Sequence, residues 1–134
     1  MSIRPWENEQ EREADARFPT GRWAGWWRQH RARGRMQLDL MFASGRVVGD
    51  GRDWVGDFVI SGGYDAKSGR VWIRKAYLGR HELDYDGAAS ADGIRGNWRL
   101  CPLPDGGVDS GPFRIWPIGA ASADQLRESA AISV

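Results

Sequence analysis

The sequence has few of the features that mark secreted and membrane proteins. It contains one cysteine, Cys101, in 134 residues, so no disulfide can form within the chain, which favours a reducing compartment. No apolar run approaches the roughly 20 residues that a transmembrane helix needs. Residues 1–17 are rich in Glu and Arg without an apolar stretch, which is not typical of a signal peptide. We therefore expect a cytoplasmic protein with no membrane partner.

Motifs for catalysis and metal binding are also missing. The two histidines, His30 and His81, and the one cysteine do not have the spacing of a zinc site. No G-x-S-x-G, HExxH or P-loop pattern occurs. The sequence therefore predicts no metal and no cofactor, and it indicates no catalytic residue. A catalytic carboxylate would have to come from a loop such as 50–53, because the strand aspartates are predicted to face outward.

The charges nearly cancel, and the formal net charge is +1. A local basic cluster surrounds the first predicted hairpin and consists of Arg22, Arg28, His30, Arg31, Arg33 and Arg35. Nucleic-acid-binding domains usually carry a basic bias over the whole domain. We interpret this cluster as a solvated hairpin and do not expect a nucleic-acid partner.

Glycine and tryptophan are the abundant residues, with 18 and 8 copies. Glycine and aspartate turn signals separate short segments in which apolar and polar residues alternate, as in half-buried strands. Eight such segments are predicted: 22–30, 35–42, 46–48, 54–62, 70–77, 81–85, 94–100 and 112–118. No segment between them is long enough for a parallel crossover helix. The pattern predicts an all-β protein, an eight-stranded antiparallel up-and-down barrel.

The length of the chain suits one domain. A short helix is predicted over 6–17, with Pro5 before it, and a second over 122–131, where Ser122 and Gln125 form a capping box. The single domain, 1–134, would then comprise an N-terminal helix and lead-in (1–20), the barrel (21–118) and a C-terminal helix and tail (119–134).

The G-x-W motif Gly21-Arg22-Trp23, at the start of an eight-strand meander, resembles the calycins, which include lipocalins, fatty-acid-binding proteins and avidins. The resemblance implies that Trp23 packs into the closed end of the barrel and that an arginine of the last strand, matched by Arg114, stacks over it. It also implies a ligand inside the barrel. Biotin is not expected, because the first strands lack the Asn, Ser and Tyr side chains of avidins. The G-x-W-x-G opening is similar to that of heme-binding nitrobindin-like barrels, but their axial histidine comes late in the chain, whereas the last histidine here is His81.

If Trp23 points inward, the period of two residues along a strand also turns Trp27 inward. The same rule gives the fifth and sixth strands a polar inner face, and a lysine there needs a partner or a wet cavity. The predicted ligand-binding residues are Trp27, Lys75, Tyr77, His81, Tyr85 and Trp98. The alternative is that these residues only surround the barrel mouth, with Lys75 reaching out to water.

Three functions remain open at this point. The first is binding of a small, partly apolar molecule with an anionic end. The second is an interaction barrel with a filled interior, in which outer tryptophans such as Trp26, Trp72 and Trp116 are covered by terminal segments or by a second copy in a homodimer. The third is a small barrel enzyme of the isomerase or dehydratase type. A cavity of a few hundred Å³ would favour the first, and a packed interior the second.

Overall fold

The computed structural model describes residues 12–100, 107 and 109–118. They form eight strands: β1 (Gly21–Gln29), β2 (Ala32–Ala43), β3 (Arg46–Asp53), β4 (Asp57–Tyr64), β5 (Arg70–Tyr77), β6 (Glu82–Ser90), β7 (Gly93–Leu100) and β8 (Asp109–Pro117). Each strand pairs antiparallel with the next, and β8 pairs with β1 to close the barrel. The predicted all-β, eight-stranded closed barrel is confirmed, and it fits a calycin-like fold in general.

The alternation of side chains places the core inside the barrel. In β2, Met36, Leu38, Leu40 and Phe42 are buried, while the residues between them are half-buried or exposed. Equivalent inward residues of the other strands complete one apolar core: Trp23, Trp27, Val47, Phe58, Ile60, Val71, Ile73, Leu83, Ile94, Trp98, Phe113 and Ile115. Removing these side chains from water is the main force that closes the sheet.

The third strand is longer than the sequence predicts. Gly49 and Gly51 read as turn residues, but both lie within β3, on its inward side. A Cβ atom at Gly51 would lie 2.7 Å from the ring of Phe58, and one at Gly49 would overlap the carbonyl oxygen of Asp39. These glycines therefore allow neighbouring strands to approach closely, and they carry β3 on to Asp53.

The predicted N-terminal helix, 6–17, does not match the part that the structure describes. Arg12 forms a β-bridge with Ala43, and the amide of Glu13 donates to the carbonyl oxygen of Phe42 (2.9 Å). A turn follows, in which the amide of Phe18 donates to the carbonyl oxygen of Asp15 (3.0 Å). Pairing with the end of β2 thus replaces helical hydrogen bonds over 12–17. Residues 1–11 and the predicted C-terminal helix, 122–131, lie outside the described residues.

One end of the barrel, which we call the floor, is closed by aromatic rings. Phe18 packs against Tyr64 (4.6 Å between ring centroids) and Phe42 (5.5 Å). Trp23 is buried beside Phe42 (5.5 Å), and its indole Nε1 donates to the carbonyl oxygen of Pro19 (2.9 Å). The lead-in to β1 therefore seals this end. The opposite end, which we call the mouth, is formed by the β1–β2, β3–β4 and β5–β6 turns.

Arg114 does not stack over Trp23, so this prediction is wrong. The inward side chains of β8 are Phe113 and Ile115, and the period of two turns Arg114 outward. Its guanidinium lies over the ring of Trp116, 5.3 Å from the centroid, and donates to the carbonyl oxygen of Asp92 (3.1 Å).

The outer tryptophans are each covered by an arginine. The guanidinium of Arg33 lies 4.9 Å from the ring of Trp26, and that of Arg70 lies 5.5 Å from the ring of Trp72. Such cation–π contacts let an apolar ring sit on a solvated wall. The homodimer suggested by these tryptophans stays a prediction.

Candidate ligand-binding site

A buried ion pair lies just beneath the mouth of the barrel. Lys75 points inward from β5, and its Nζ atom donates to Oδ2 of Asp53, at the end of β3, over 2.7 Å. The side chains of Lys75 and Asp53 are 1% and 0% exposed. The lysine that the sequence placed on an apolar face therefore has a carboxylate partner rather than a path to water.

The carboxylate of Asp53 is fully engaged by donors from the barrel and from the following turn. Oδ2 also accepts from the Tyr77 hydroxyl (2.5 Å) and from Trp27 Nε1 (3.1 Å). Oδ1 accepts from the amides of Val55 (2.9 Å) and Gly56 (3.3 Å). A buried charge is tolerated when all its hydrogen-bonding positions are filled, and here they are.

Aromatic rings surround the ammonium group of Lys75. Nζ lies within 6 Å of four ring centroids: Phe58 (4.4 Å), Tyr77 (4.7 Å), Tyr85 (5.4 Å) and Trp27 (5.7 Å). It also donates to the hydroxyl of Tyr85 (3.3 Å) and contacts the sulfur of Met36 (3.8 Å). The negative ring faces attract the cation and supplement its single carboxylate.

The pKa values follow from burial and from this pairing. Burial lowers the pKa of Lys75 to about 8, although Asp53 opposes the shift. Burial would raise the pKa of Asp53, but Lys75 and the surrounding donors hold it below its usual value. Burial raises the pKa values of the Tyr77 and Tyr85 hydroxyls above their ordinary range. The pair is therefore ionised at neutral pH, and both tyrosines are protonated.

Lys75 is expected to make the free energy of unfolding rise between pH 8 and pH 10. Its pKa is about 8 in the folded protein and 10.5 ordinarily, so the unfolded chain binds more protons in this window and stability increases with pH, by about 2 to 3 kcal/mol. Above the ordinary tyrosine pKa of 10.0 the trend reverses, because Tyr77 and Tyr85 ionise more readily in the unfolded chain.

Urea unfolding at a series of pH values, followed by tryptophan fluorescence, measures this profile. Lys75→Met should lose the rise, and Lys67→Met, on an exposed turn, should keep it. A rise of the same size in Lys75→Met would contradict the assignment.

A cavity of about 170 Å³ opens above the ion pair at the mouth. Its walls are mainly aromatic, and its lining residues are Trp27, Gln29, Trp54, Val55, Tyr77, His81, Leu83, Tyr85, Trp98 and Leu100. Asp53 and Lys75 do not line it, because Trp27, Tyr77 and Tyr85 stand between the pair and the cavity. The barrel below the pair is filled by its own side chains.

Two glycines fix the tryptophan walls of this cavity. A Cβ atom at Gly34 would overlap the indole of Trp27, and one at Gly111 would lie 2.9 Å from Nε1 of Trp98. The same Nε1 donates to the carbonyl oxygen of Arg28 (2.8 Å). Each indole thus packs against a strand position that has no side chain, and a hydrogen bond from its Nε1 atom fixes its orientation.

The structure brings together five of the six residues predicted to bind a ligand. Trp27, Tyr77, Tyr85 and Trp98 line the cavity with buried side chains. His81 also lines it, but it is exposed and precedes β6 rather than lying within a strand; its ring is 5.3 Å from that of Tyr77. Lys75 lies behind the cavity wall.

Asp53 and Trp54 are two of the contributors that sequence reasoning missed. Asp53 was considered only as part of a loop, since the glycines before it suggested that the strand ended at Val48. Extending the alternation from Val47 through Gly49 and Gly51 would have turned Asp53 inward. Trp54 was assigned to a strand, but it lies in the β3–β4 turn, 70% exposed, with its ring 5.9 Å from that of Trp27.

Over 12–100, 107 and 109–118, no group of three or more His, Cys, Asp or Glu side chains is placed to hold a metal ion. No helix in this part of the chain is long and apolar enough to cross a membrane. No protein-family model matches the sequence, and no curated protein or solved structure matches it. The functional assignment therefore rests on the geometry of the site.

Proposed function

We propose that this protein binds a small, partly apolar molecule at the aromatic mouth of the barrel, in the cytoplasm. The observation that carries the proposal is the 170 Å³ cavity walled by Trp27, Tyr77, Tyr85 and Trp98. An apolar protein cavity of about 150 Å³ accommodates benzene. The ligand is therefore of the size of one aromatic ring or two small fused rings.

The electrostatics of the site favour an uncharged ligand over an anionic one. The ammonium of Lys75 is already neutralised by Asp53 at 2.7 Å, and both groups lie behind the cavity wall. The hydroxyl of Tyr85 accepts from Lys75 (3.3 Å), which leaves its own proton for an acceptor on the ligand. A flat molecule with one hydrogen-bond acceptor matches these groups.

Titration with phenol and with indole, followed by thermal unfolding, tests the proposal. Both probes should raise the melting temperature, as ligands of the folded state do. Leu83→Phe, which extends into the cavity, should weaken binding at least about tenfold, a change of about 1.4 kcal/mol. Val59→Phe, on the outer wall, is the matched control and should bind as the unchanged protein does.

Unchanged affinity in Leu83→Phe would refute the site. Replacing phenol by benzoate tests whether the ligand is neutral or anionic. An anionic ligand would be supported if benzoate bound more tightly than phenol and if Lys75→Met abolished that difference. Native mass spectrometry of protein purified from its source would identify a molecule that co-purifies.

The second candidate is a protein-interaction barrel, used through its outer wall. The filled interior beneath the ion pair favours it, as do the exposed apolar side chains Val59, Trp72 and Leu78. Size-exclusion chromatography with light scattering distinguishes a homodimer from a monomer. Catalysis is not proposed, because a general base must reach its substrate, and the carboxylate of Asp53 is buried and occupied by five donors.

A further inference from the structure

Several polar groups in the lining of the mouth cavity already donate their protons within the protein. The indole N–H of Trp27 donates to Oδ2 of Asp53 (3.1 Å), and so does the hydroxyl of Tyr77 (2.5 Å). The indole N–H of Trp98 donates to the carbonyl oxygen of Arg28 (2.8 Å). None of these three groups has a proton left for a ligand. What the cavity recognises therefore depends on the other polar residues of its lining.

Gln29 is a lining residue whose side-chain amide is held in one orientation. It is the last residue of β1 and lies at the rim of the cavity. Its Nε2 atom donates to Oδ2 of Asp109, the first residue of β8, over 2.6 Å. A carboxylate only accepts hydrogen bonds, so the amide nitrogen must face Asp109 and the amide oxygen must face away from it.

Asp109 is itself fixed in place and does not line the cavity. Its Oδ1 atom accepts from the amide of Ser110 (2.9 Å) and lies 3.7 Å from Nε2 of His30. The Asp109 side chain is only 16% exposed. Asp109 is therefore a positioning residue that acts through Gln29, and Gln29 is the residue that can contact a ligand.

The amide oxygen of Gln29, Oε1, is an unused acceptor that a ligand can reach. Within the part of the chain that the structure describes, no group donates to it. It is not one of the buried atoms that lack a partner, so it is open to solvent. The other polar side chain at the rim, His81, can donate or accept and therefore fixes no preference. Oε1 of Gln29 selects a ligand that carries a donor at its outer end.

Tyr85 offers the opposite hydrogen-bonding sense deeper in the barrel. Its hydroxyl oxygen accepts from Nζ of Lys75 (3.3 Å), and no described residue accepts its proton. Tyr85 is the fourth residue of β6 counted from the mouth, whereas Gln29 ends β1 at the rim. The cavity thus has a donor at its inner end and an acceptor at its outer end.

We propose that the cavity binds flat rings with a carbonyl oxygen at one end and an O–H or N–H group at the other, and that Gln29, oriented by Asp109, selects the second end. This inference rests on the binding function proposed above. The carbonyl oxygen accepts from Tyr85, and the outer group donates to Oε1 of Gln29. An anionic outer end is disfavoured, because it would meet this amide oxygen with the carboxylate of Asp109 behind it.

Isothermal titration calorimetry with 4-hydroxyacetophenone and 4-methoxyacetophenone tests the proposal, in a slightly acidic buffer that keeps the phenol neutral. The two ketones share the ring and the carbonyl group, and only the first has a donor at its outer end. The unchanged protein should bind 4-hydroxyacetophenone about 2- to 12-fold more tightly, the range expected for one net hydrogen bond. The ratio of the two affinities is the measured quantity, because a general loss of stability lowers both alike.

Two variants should remove this preference. Gln29→Leu keeps the approximate size of the side chain without its acceptor, so the two ketones should bind about equally. Asp109→Asn lets the amide of Gln29 face either way, so it should lower the ratio while 4-methoxyacetophenone keeps its affinity; it also gives a second reading should Gln29→Leu fail to fold. Gln37→Leu, at an exposed position of β2, is the matched control and should keep the ratio.

Two results would overturn this inference and leave the binding function in place. The first is equal affinity of the unchanged protein for both ketones while phenol still binds and Leu83→Phe weakens it. The second is a preference that persists in both Gln29→Leu and Asp109→Asn, which would assign it to the size of the methoxy group. If phenol, indole and both ketones all fail to bind, the binding function is refuted together with this inference.

Discussion

Asp53→Asn is expected to lower the free energy of unfolding by about 3 to 5 kcal/mol, the cost of removing one member of a buried ion pair. The substitution preserves the shape of the side chain but removes its charge. It leaves the ammonium of Lys75 in a site where neither side chain is more than 1% exposed. The new amide nitrogen is a donor, and if it takes the place of Oδ2 it faces two other donors, Nε1 of Trp27 and the hydroxyl of Tyr77.

Lys75→Met is expected to cost less than Asp53→Asn. After this change the carboxylate keeps four of its five donors, from Trp27, Tyr77, Val55 and Gly56. The double variant should lose less than the two single losses added together, because neither charge is then left without its partner.

Urea unfolding with fluorescence detection gives these free energies. Asp84→Asn is the matched control, since Asp84 pairs with Arg74 at a site where both side chains are more than half exposed, and its loss should stay below about 1 kcal/mol. Two results would show that the ion pair does not stabilise the mouth of the barrel. They are additive losses of unfolding free energy in the double variant, and a loss in Asp53→Asn as small as in the control.

Trp23→Ala is expected to lower the free energy of unfolding by about 3 to 5 kcal/mol, as a large aromatic residue deleted from a core does. The indole is 1% exposed, packs on Phe42 and donates to the carbonyl oxygen of Pro19. Its removal opens a cavity at the floor and frees the chain segment that closes this end. The lead-in around Phe18 should then become accessible to solvent.

Two measurements check this result. Urea unfolding gives the loss of stability, and hydrogen exchange should show faster exchange of the Phe18 and Phe42 amides, near the floor, than of amides near the mouth. Trp72→Ala removes an indole that is 43% exposed and should cost clearly less. Equal losses in the two variants would mean that Trp23 does not close the barrel.

The features that the sequence could predict follow from the alternation of apolar and polar residues along single strands. Met36, Leu38 and Leu40 mark the inner face of β2 without any knowledge of its neighbours. The same rule turned Lys75 inward and implied that it needs a partner. That partner, Asp53, could be identified only if β3 was known to extend to residue 53. Gly49 and Gly51 suggested a turn instead, because glycines are typical of turns.

Relations between strands could not be predicted in the same way. Trp26 and Arg35 belong to one predicted hairpin, whereas Arg114 is far from both in the sequence, and only the pairing of β8 with β1 places it beside Trp26. The net charge of +1 was used to argue against a nucleic-acid partner, and that prediction stays untested, because a sum over the chain carries no information about where charges lie. Arg114 was placed at the floor by resemblance, whereas the alternation around Phe113 and Ile115 turns it outward.

The seam between β1 and β8 has a consequence for the order of folding. The other seven strand pairings join neighbours in the sequence and can form early as hairpins, whereas this one links the two ends of the barrel and has the largest loop to close. We expect water to reach Asp53 and Lys75 until this seam forms, because both side chains are buried only in the closed barrel. The dehydration of two charges would then fall on the joining step and make it the slowest part of assembly and, in reverse, of unfolding.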